Sequence, residues 1–278
     1  MGGRSTKICS ARTTIFVKMI TLIGHGYVGE YISRQLTLEC IDYHWIKHTD
    51  SIDKNTSVII NAAGYTGFPN VDDCEIYKQQ TINGNVIFPI NLEQNNIDIP
   101  IVHISSGCVY NGYKFGGWLE ADEPNFDFNT GSFYSASKCL EQQLLIPYMN
   151  KSYLLRIRMP FDFKHQSKNF LTKMITYEKL ISYENSLSYM PDVARITINF
   201  ARDLPKPGIY NLCNPGSSNA RDIVDMMKLE KSWFTEEEFN LAVRTPRSNC
   251  VLNTDKLEKL YSIQSVESAL NMAIQQLY

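Results

Sequence analysis

Apolar residues fall in short, nearly unbroken runs separated by stretches of helical spacing, and this alternation organises the chain from about residue 16 to residue 160. The run 16–23 is almost entirely apolar and stops at a glycine, as expected of a strand covered on both faces. It flows into Gly24-His25-Gly26-Tyr27-Val28-Gly29, and from 27 to about 38 the apolar positions recur with helical periodicity. Further strands are expected at 43–47, 57–61, 101–105 and 153–157, with helices at 72–93 and 135–149 between them. Strand and helix in alternation predict α/β class, a doubly wound parallel (Rossmann) sheet with helices on both faces. Beyond 160 the pieces are shorter and mixed, at 169–177, 180–183, 191–201 and 208–212, with helices near 219–228 and 235–241. The expected organisation is a flexible extension or tag at 1–18 and a dinucleotide-binding domain at 19–160. A smaller substrate-binding lobe follows at 161–278, partly interleaved with the sheet.

Composition narrows the class without naming it. The chain has 278 residues, 44% of them hydrophobic and 20% charged, as in ordinary globular proteins. A net charge of −2 offers no bulk attraction to nucleic acid or to an anionic membrane. No apolar stretch approaches the ~18 residues of a membrane span. Seven cysteines at 9, 40, 74, 108, 139, 213 and 250 form no CxxC pair, and the five histidines have no zinc-like spacing. A reduced, cytoplasmic protein without a metal is expected. Residues 1–18 are polar and basic, lack the apolar centre of a signal peptide, and leave Met19 as an alternative start.

The glycine loop carries the first chemistry. Strand before and helix after put Gly24 at the tight turn, Gly26 where backbone meets a pyrophosphate, and Gly29 where helix packs on strand. The first N–H groups of the helix, from Tyr27 and Val28, then face the phosphates. At the end of the second strand, Lys47 and His48 stand where a 2′-phosphate lies, which favours NADPH. Asp50 keeps NADH as the alternative.

Tyr134 and Lys138 are spaced by one helical turn, at the head of a helix that follows the fourth strand. A ketone that receives a hydride becomes an alkoxide in need of a proton, and a phenol whose pKa is lowered by a neighbouring ammonium supplies it. Lys138 is also expected to hold the nicotinamide ribose. Ser106, at the C-terminal edge of the fourth strand, is the expected hydrogen-bond partner of the substrate carbonyl.

Several segments together resemble one family: Asn61-Ala62-Ala63-Gly64, Pro69-Asn70-Val71-Asp72, Gly131-Ser132-Phe133-Tyr134-Ser135, Arg156-Ile157-Arg158-Met159-Pro160, Asn169-Phe170-Leu171-Thr172-Lys173, Tyr210-Asn211-Leu212-Cys213-Asn214-Pro215-Gly216 and Pro246-Arg247-Ser248-Asn249. They resemble the extended short-chain dehydrogenase/reductases. Within these they are similar to the plant and giant-virus UDP-4-keto-6-deoxyglucose 3,5-epimerase/4-reductases that make UDP-rhamnose. The resemblance implies a second activity beside the reduction. In those enzymes a cysteine and a lysine, matched here by Cys108 and Lys173, are acid/base groups at C3 and C5, where the C4 ketone acidifies the hydrogens. It also implies cofactor contacts at Asn61, Ala62, Ala63 and Tyr65, and substrate contacts at Asn70, Asn169 and Arg247. A separate 4,6-dehydratase upstream, a UDP-linked sugar substrate and a homodimer are expected on the same ground. The alternatives are a 4-reductase acting on an already epimerised sugar and a non-catalytic nucleotide-binding subunit.

Overall fold

The computed structural model describes residues 19–277. The extension expected at 1–18, and the start of the first strand at 16–18, lie outside the described residues. The strands in chain order are Ile20–Ile23 (β1), Tyr43–Ile46 (β2), Val58–Asn61 (β3), Ile101–Ser106 (β4), Tyr153–Ile157 (β5), Pro160–Phe161 (β6), Lys179–Leu180 (β7), Ser188–Tyr189 (β8), Gly208–Asn211 (β9) and Ser232–Trp233 (β10). The helices are Tyr27–Leu38 (α1), Lys78–Ile82 (α2), Phe88–Asn95 (α3), Phe133–Leu145 (α4), Phe170–Thr176 (α5), Met190–Asp203 (α6), Ala220–Met226 (α7), Glu236–Ala242 (α8), Asp255–Glu258 (α9) and Val266–Leu277 (α10).

β2, β1, β3, β4, β5 and β9 lie side by side in that order, all parallel. The four inner strands are buried throughout, because helices cover both faces and neither can be polar. On one face Ile32 and Leu36 of α1 meet Val193, Ile196 and Phe200 of α6 in the largest apolar cluster. Thus β9 and α6 belong to the parallel sheet layer although they follow residue 160. A second cluster, including Phe161, Leu171, Met174, Leu187, Ile223 and Leu270, is the core of the smaller lobe.

The segment 72–93 is not the single helix its periodicity predicts. It begins as a 3-10 turn at Val71–Glu75, becomes α2, passes through a π turn at Asn83–Ile87 and resumes as α3. Pro89 has no N–H for the preceding turn, and the chain takes up the break as one wider turn. Likewise, α4 tightens to a 3-10 turn at Ile146–Tyr148, where Pro147 cannot extend the ladder.

Beneath the sheet edge lies a buried polar chain. Asn61 Nδ2 is 3.1 Å from His103 Nδ1, His103 Nε2 is 3.0 Å from Glu93 Oε1, and Lys151 donates to the other Glu93 oxygen. With the Asn61 amide donating, His103 is neutral and donates through Nε2. Burial alone would raise the Glu93 carboxyl, but hydrogen bonds from His103 and Lys151 outweigh it and hold the group below its usual range. A carboxylate lowered on folding stabilises above its unfolded pKa and loses that stabilisation as pH falls through the lower folded value. Glu93→Gln should therefore cost about 2 kcal/mol at neutral pH. Thermal melts of both proteins should draw together as pH falls below about 4 and meet only once the folded carboxyl, with its lowered pKa, is protonated.

Candidate active site

The six parallel strands end together at the edge that carries Gly24, Asn61 and Ser106, and the site is built there. Gly24 has φ +107°, and a Cβ on it would lie 2.7 Å from Ala63 N. A Cβ at Gly29 would lie 2.1 Å from Gly24 O, so the packing of α1 on the turn depends on its absence. The Trp45 indole donates to the same carbonyl at 2.9 Å, tying β2 to the turn. Gly29→Ala should cost about 2 kcal/mol or more, read as a fall in melting temperature, because both clashing atoms are backbone.

Gly26 differs from its neighbours. It caps α1, and nothing lies within 4 Å of the position a Cβ would take. The N–H groups of Tyr27, Val28 and Gly29 have no carbonyl in their own helix and look into that opening. An open glycine before a helix N-terminus fits a dinucleotide pyrophosphate. Tyr27 offers its backbone here; its hydroxyl is buried, and Asp162 adds to burial in raising its pKa. Lys47 and His48 are exposed past the end of β2. Asp50 turns its carboxylate back to Lys47 N at 2.8 Å, closing that turn.

Asn61 serves the turn rather than the opening. Its side chain is buried, accepting from Ala63 N at 3.0 Å and facing His103, which corrects its expected role as a cofactor contact. Ala62 and Ala63 pack under Gly24. Tyr65 is held from two sides: its N–H donates to Asn85 Oδ1 at 2.8 Å, and its hydroxyl donates to Asp73 at 2.6 Å. Asn85 also donates to Tyr65 O and to Ser137 of α4, joining the loop to the catalytic helix. Sequence reasoning missed Asn85, which sits in the π turn that periodicity could not show.

Ser132 caps α4 by accepting from Ser135 N at 3.1 Å, and this sets the helix so that Tyr134 faces the end of β4. Tyr134 is buried, and three influences on its phenol are the largest. Burial raises its pKa most, Cys108 raises it further, and a hydrogen bond with Ser106 lowers it. Ser106 Oγ also accepts from Cys108 N at 3.0 Å. Lys138 lies one turn on, but its ammonium pairs with buried Glu141 at 3.0 Å, and Glu141 accepts from Ser105 at 2.6 Å. The expectation that Lys138 lowers the Tyr134 pKa is thus corrected: the carboxylate takes up its charge, and burial keeps the phenol protonated.

Cys108 is half-buried after β4. Lys173, on α5, has its pKa lowered by burial, then by the like charges of Lys168 and Arg247, while Cys108 pulls the other way. It lines a cavity of about 370 Å³ with Pro69, His165, Gln166, Thr172 and Tyr177. Asn70 caps the 3-10 turn by accepting from Asp72 N at 2.9 Å. Arg247 pairs with Asp72 at 2.7 Å and faces a second cavity of about 280 Å³, beside Tyr113, Tyr183 and Phe239. Asn169 does not face substrate. It is fully buried, capping α5 through Leu171 N and donating to Asp162 O and Lys164 O, so no amide atom remains for a diphosphate.

The model of the RmlD substrate binding domain matches residues 33–278. The chain belongs to the RmlD substrate-binding family. A relative from Arabidopsis thaliana, a bifunctional dTDP-4-dehydrorhamnose 3,5-epimerase/dTDP-4-dehydrorhamnose reductase, is 36% identical over 77% of this chain and 75% of its own length. A trifunctional UDP-glucose 4,6-dehydratase/3,5-epimerase/reductase of the same plant is 34% identical over 76% of this chain, which spans only 33% of it. Among solved structures, a UDP-rhamnose synthase of Acanthamoeba polyphaga mimivirus superposes with a TM-score of 0.84 over 93% of this chain and 99% of that one, at 23% identity. That likeness bears on the RmlD-type fold.

Proposed function

We propose that the chain converts UDP-4-keto-6-deoxyglucose to UDP-L-rhamnose, inverting C3 and C5 and then reducing the C4 ketone with NADPH. The observation that supports this reading is that Ser106, Tyr134, Lys138 and Cys108 lie about the end of β4, with Lys173 of α5 near enough to interact electrostatically with Cys108. Ser106, Tyr134 and Lys138 suit the reduction, and Cys108 and Lys173 suit the inversions. Similarity to a bifunctional plant relative supports having both on one chain.

The hydrogens beside the C4 ketone are acidic because the resulting carbanion delocalises into an enolate. Cys108 and Lys173 exchange protons with those carbons as a thiol and an amine, and burial lowers the pKa of the amine. Ser106 orients the C4 oxygen, Tyr134 delivers a proton to it, and Lys138, anchored by Glu141, holds the ribose of the cofactor. When bound, the nicotinamide supplies the hydride. Lys47 and His48 beside an Asp50 already committed to its own turn favour the 2′-phosphate of NADPH over NADH.

A separate 4,6-dehydratase that supplies the keto-sugar is part of this proposal. A cytoplasmic homodimer is part of the same proposal. Ile87 of the π turn, Leu144 of α4 and Ile146 of the 3-10 turn after it are exposed apolar residues that such an interface would cover. No helix among the described residues is long and apolar enough to cross a membrane.

The test is an NMR time course with UDP-4-keto-6-deoxyglucose in deuterated water, first without and then with NADPH. Deuterium entering C3 and C5 without cofactor, followed by rhamnose when NADPH is added, is the expected result. Oxidation of NADPH without exchange would leave a reductase alone, and the absence of both exchange and oxidation would overturn the substrate.

A further inference from the structure

Resting on that proposed reading, we propose that Arg158 is a positioning residue that holds Cys108 as a thiolate, making Cys108 the base and Lys173 the acid of the epimerisation. Arg158 directly follows β5, with its side chain almost fully buried. Each of its five N–H donors has an acceptor. Nε and one Nη2 hydrogen go to Asn185 Oδ1, and the other Nη2 hydrogen goes to the Ser248 carbonyl. Nη1 donates to Ser248 Oγ at 3.1 Å and to Cys108 Sγ at 3.1 Å. An amide oxygen, a backbone carbonyl and a hydroxyl carry no charge at neutral pH. The sulfur is the one acceptor in the set that can.

A guanidinium removed from water without a counter-charge is costly, and it does not escape the cost by losing its proton. A neutral thiol is a weak acceptor, whereas a thiolate supplies both a strong acceptor and the missing charge. Two other thiols lie near Arg158, and both are spent as donors: Cys250 on Gly107 O at 3.5 Å and Cys213 on Arg156 O at 3.9 Å. Burial raises the pKa of each. Cys108 alone of the three accepts directly from the guanidinium. The remaining titratable groups acting on it are Tyr134, Cys139 and Lys173. Tyr134 and Cys139 are raised by burial and stay neutral, and Lys173 as ammonium reinforces the thiolate.

The proton balance follows. The thiolate takes the C–H proton, and the electron pair passes to the C4 oxygen as an enolate. The Lys173 ammonium returns a proton to the opposite face, leaving a thiol and an amine that reset by exchange with water. Between neighbouring residues the direction of this transfer is set by which one starts charged as a base, and Arg158 sets it.

Iodoacetamide alkylation of the intact protein across pH 5–10, read by peptide mass spectrometry, tests the thiolate directly. Cys108 should show a midpoint at least about one pH unit below that of glutathione alkylated in the same series. Equal midpoints would overturn the proposal, whether or not any variant folds. In Arg158→Gln, deuterium exchange at pH 7 should fall about tenfold or more relative to wild type at the same pH, and that deficit should narrow as pH rises and the thiolate forms unaided, both proteins sharing the alkaline decline set by Lys173. A loss that is the same at every pH would mark a merely structural arginine. If wild-type protein shows a low Cys108 midpoint but no exchange at any pH, the epimerase reading fails while the hold of Arg158 on the thiol stands.

Discussion

Tyr134→Phe should lower the rate of C4 reduction by about 10²–10⁴-fold while deuterium exchange at C3 and C5 continues near the wild-type rate. The substitution removes only the hydroxyl, so the ring keeps its place at the head of α4, and Ser132 still caps the helix. What is lost is the proton for the C4 oxygen, needed only after hydride arrives. The phenol's pKa is raised by burial and by Cys108, with Ser106 pulling it back. A raised phenol remains in its donating form through neutral pH and loses its proton only well into the alkaline range. Wild-type reduction should therefore show no fall that tracks Tyr134 up to about pH 9. Single-turnover NADPH oxidation, followed beside the exchange experiment, checks both halves. Equal loss of exchange and reduction would mean Tyr134 holds substrate rather than donating to it.

Much of this arrangement is legible in the chain because it is local. The first strand, the glycine turn and α1 are contiguous, and their spacing alone describes a phosphate-facing turn. Tyr134 and Lys138 are legible for the same reason, as neighbours on one helix. What escapes is carried by long-range contacts. Arg158 reaches partners 27, 50 and 90 residues away, and an arginine at the end of an apolar strand gives no sign of which acceptors surround it. The ion pair of Lys138 with Glu141 is local, yet an acid three residues on ordinarily marks a solvated helix face, and only burial shows that it restrains the lysine. Asn169 misleads in the opposite sense. A polar residue before a helix suits a ligand and a cap equally well, and here the cap and the Asp162 loop consume it. Asn85 is hidden by a π turn that periodicity smooths into one helix.

Cys108→Ala should abolish deuterium exchange at the inverted carbons by about 10³-fold or more, yet leave reduction of an already epimerised 4-keto-rhamnose nucleotide within about threefold of wild type. The asymmetry follows from geometry. Ser106, Tyr134 and Lys138 keep their own supports: Ser132 caps α4, and Glu141 with Ser105 anchors the lysine. None of these rests on the cysteine sulfur. Lys173→Met should give the same split, because the methionine fills the buried stem position but carries no proton. Its pH dependence has a definite sign. Burial and the charges of Lys168 and Arg247 lower the Lys173 pKa, so the ammonium that returns the proton is lost at lower pH than for an exposed lysine. Wild-type exchange should accordingly decline on the alkaline side well before pH 10.5, and Lys168→Met, by removing one like charge, should move that decline upward. An unmoved decline would sever Lys168 from the site. Loss of reduction alongside exchange in Cys108→Ala would instead make the cysteine part of the pocket that seats the sugar, with both activities depending on the same sulfur.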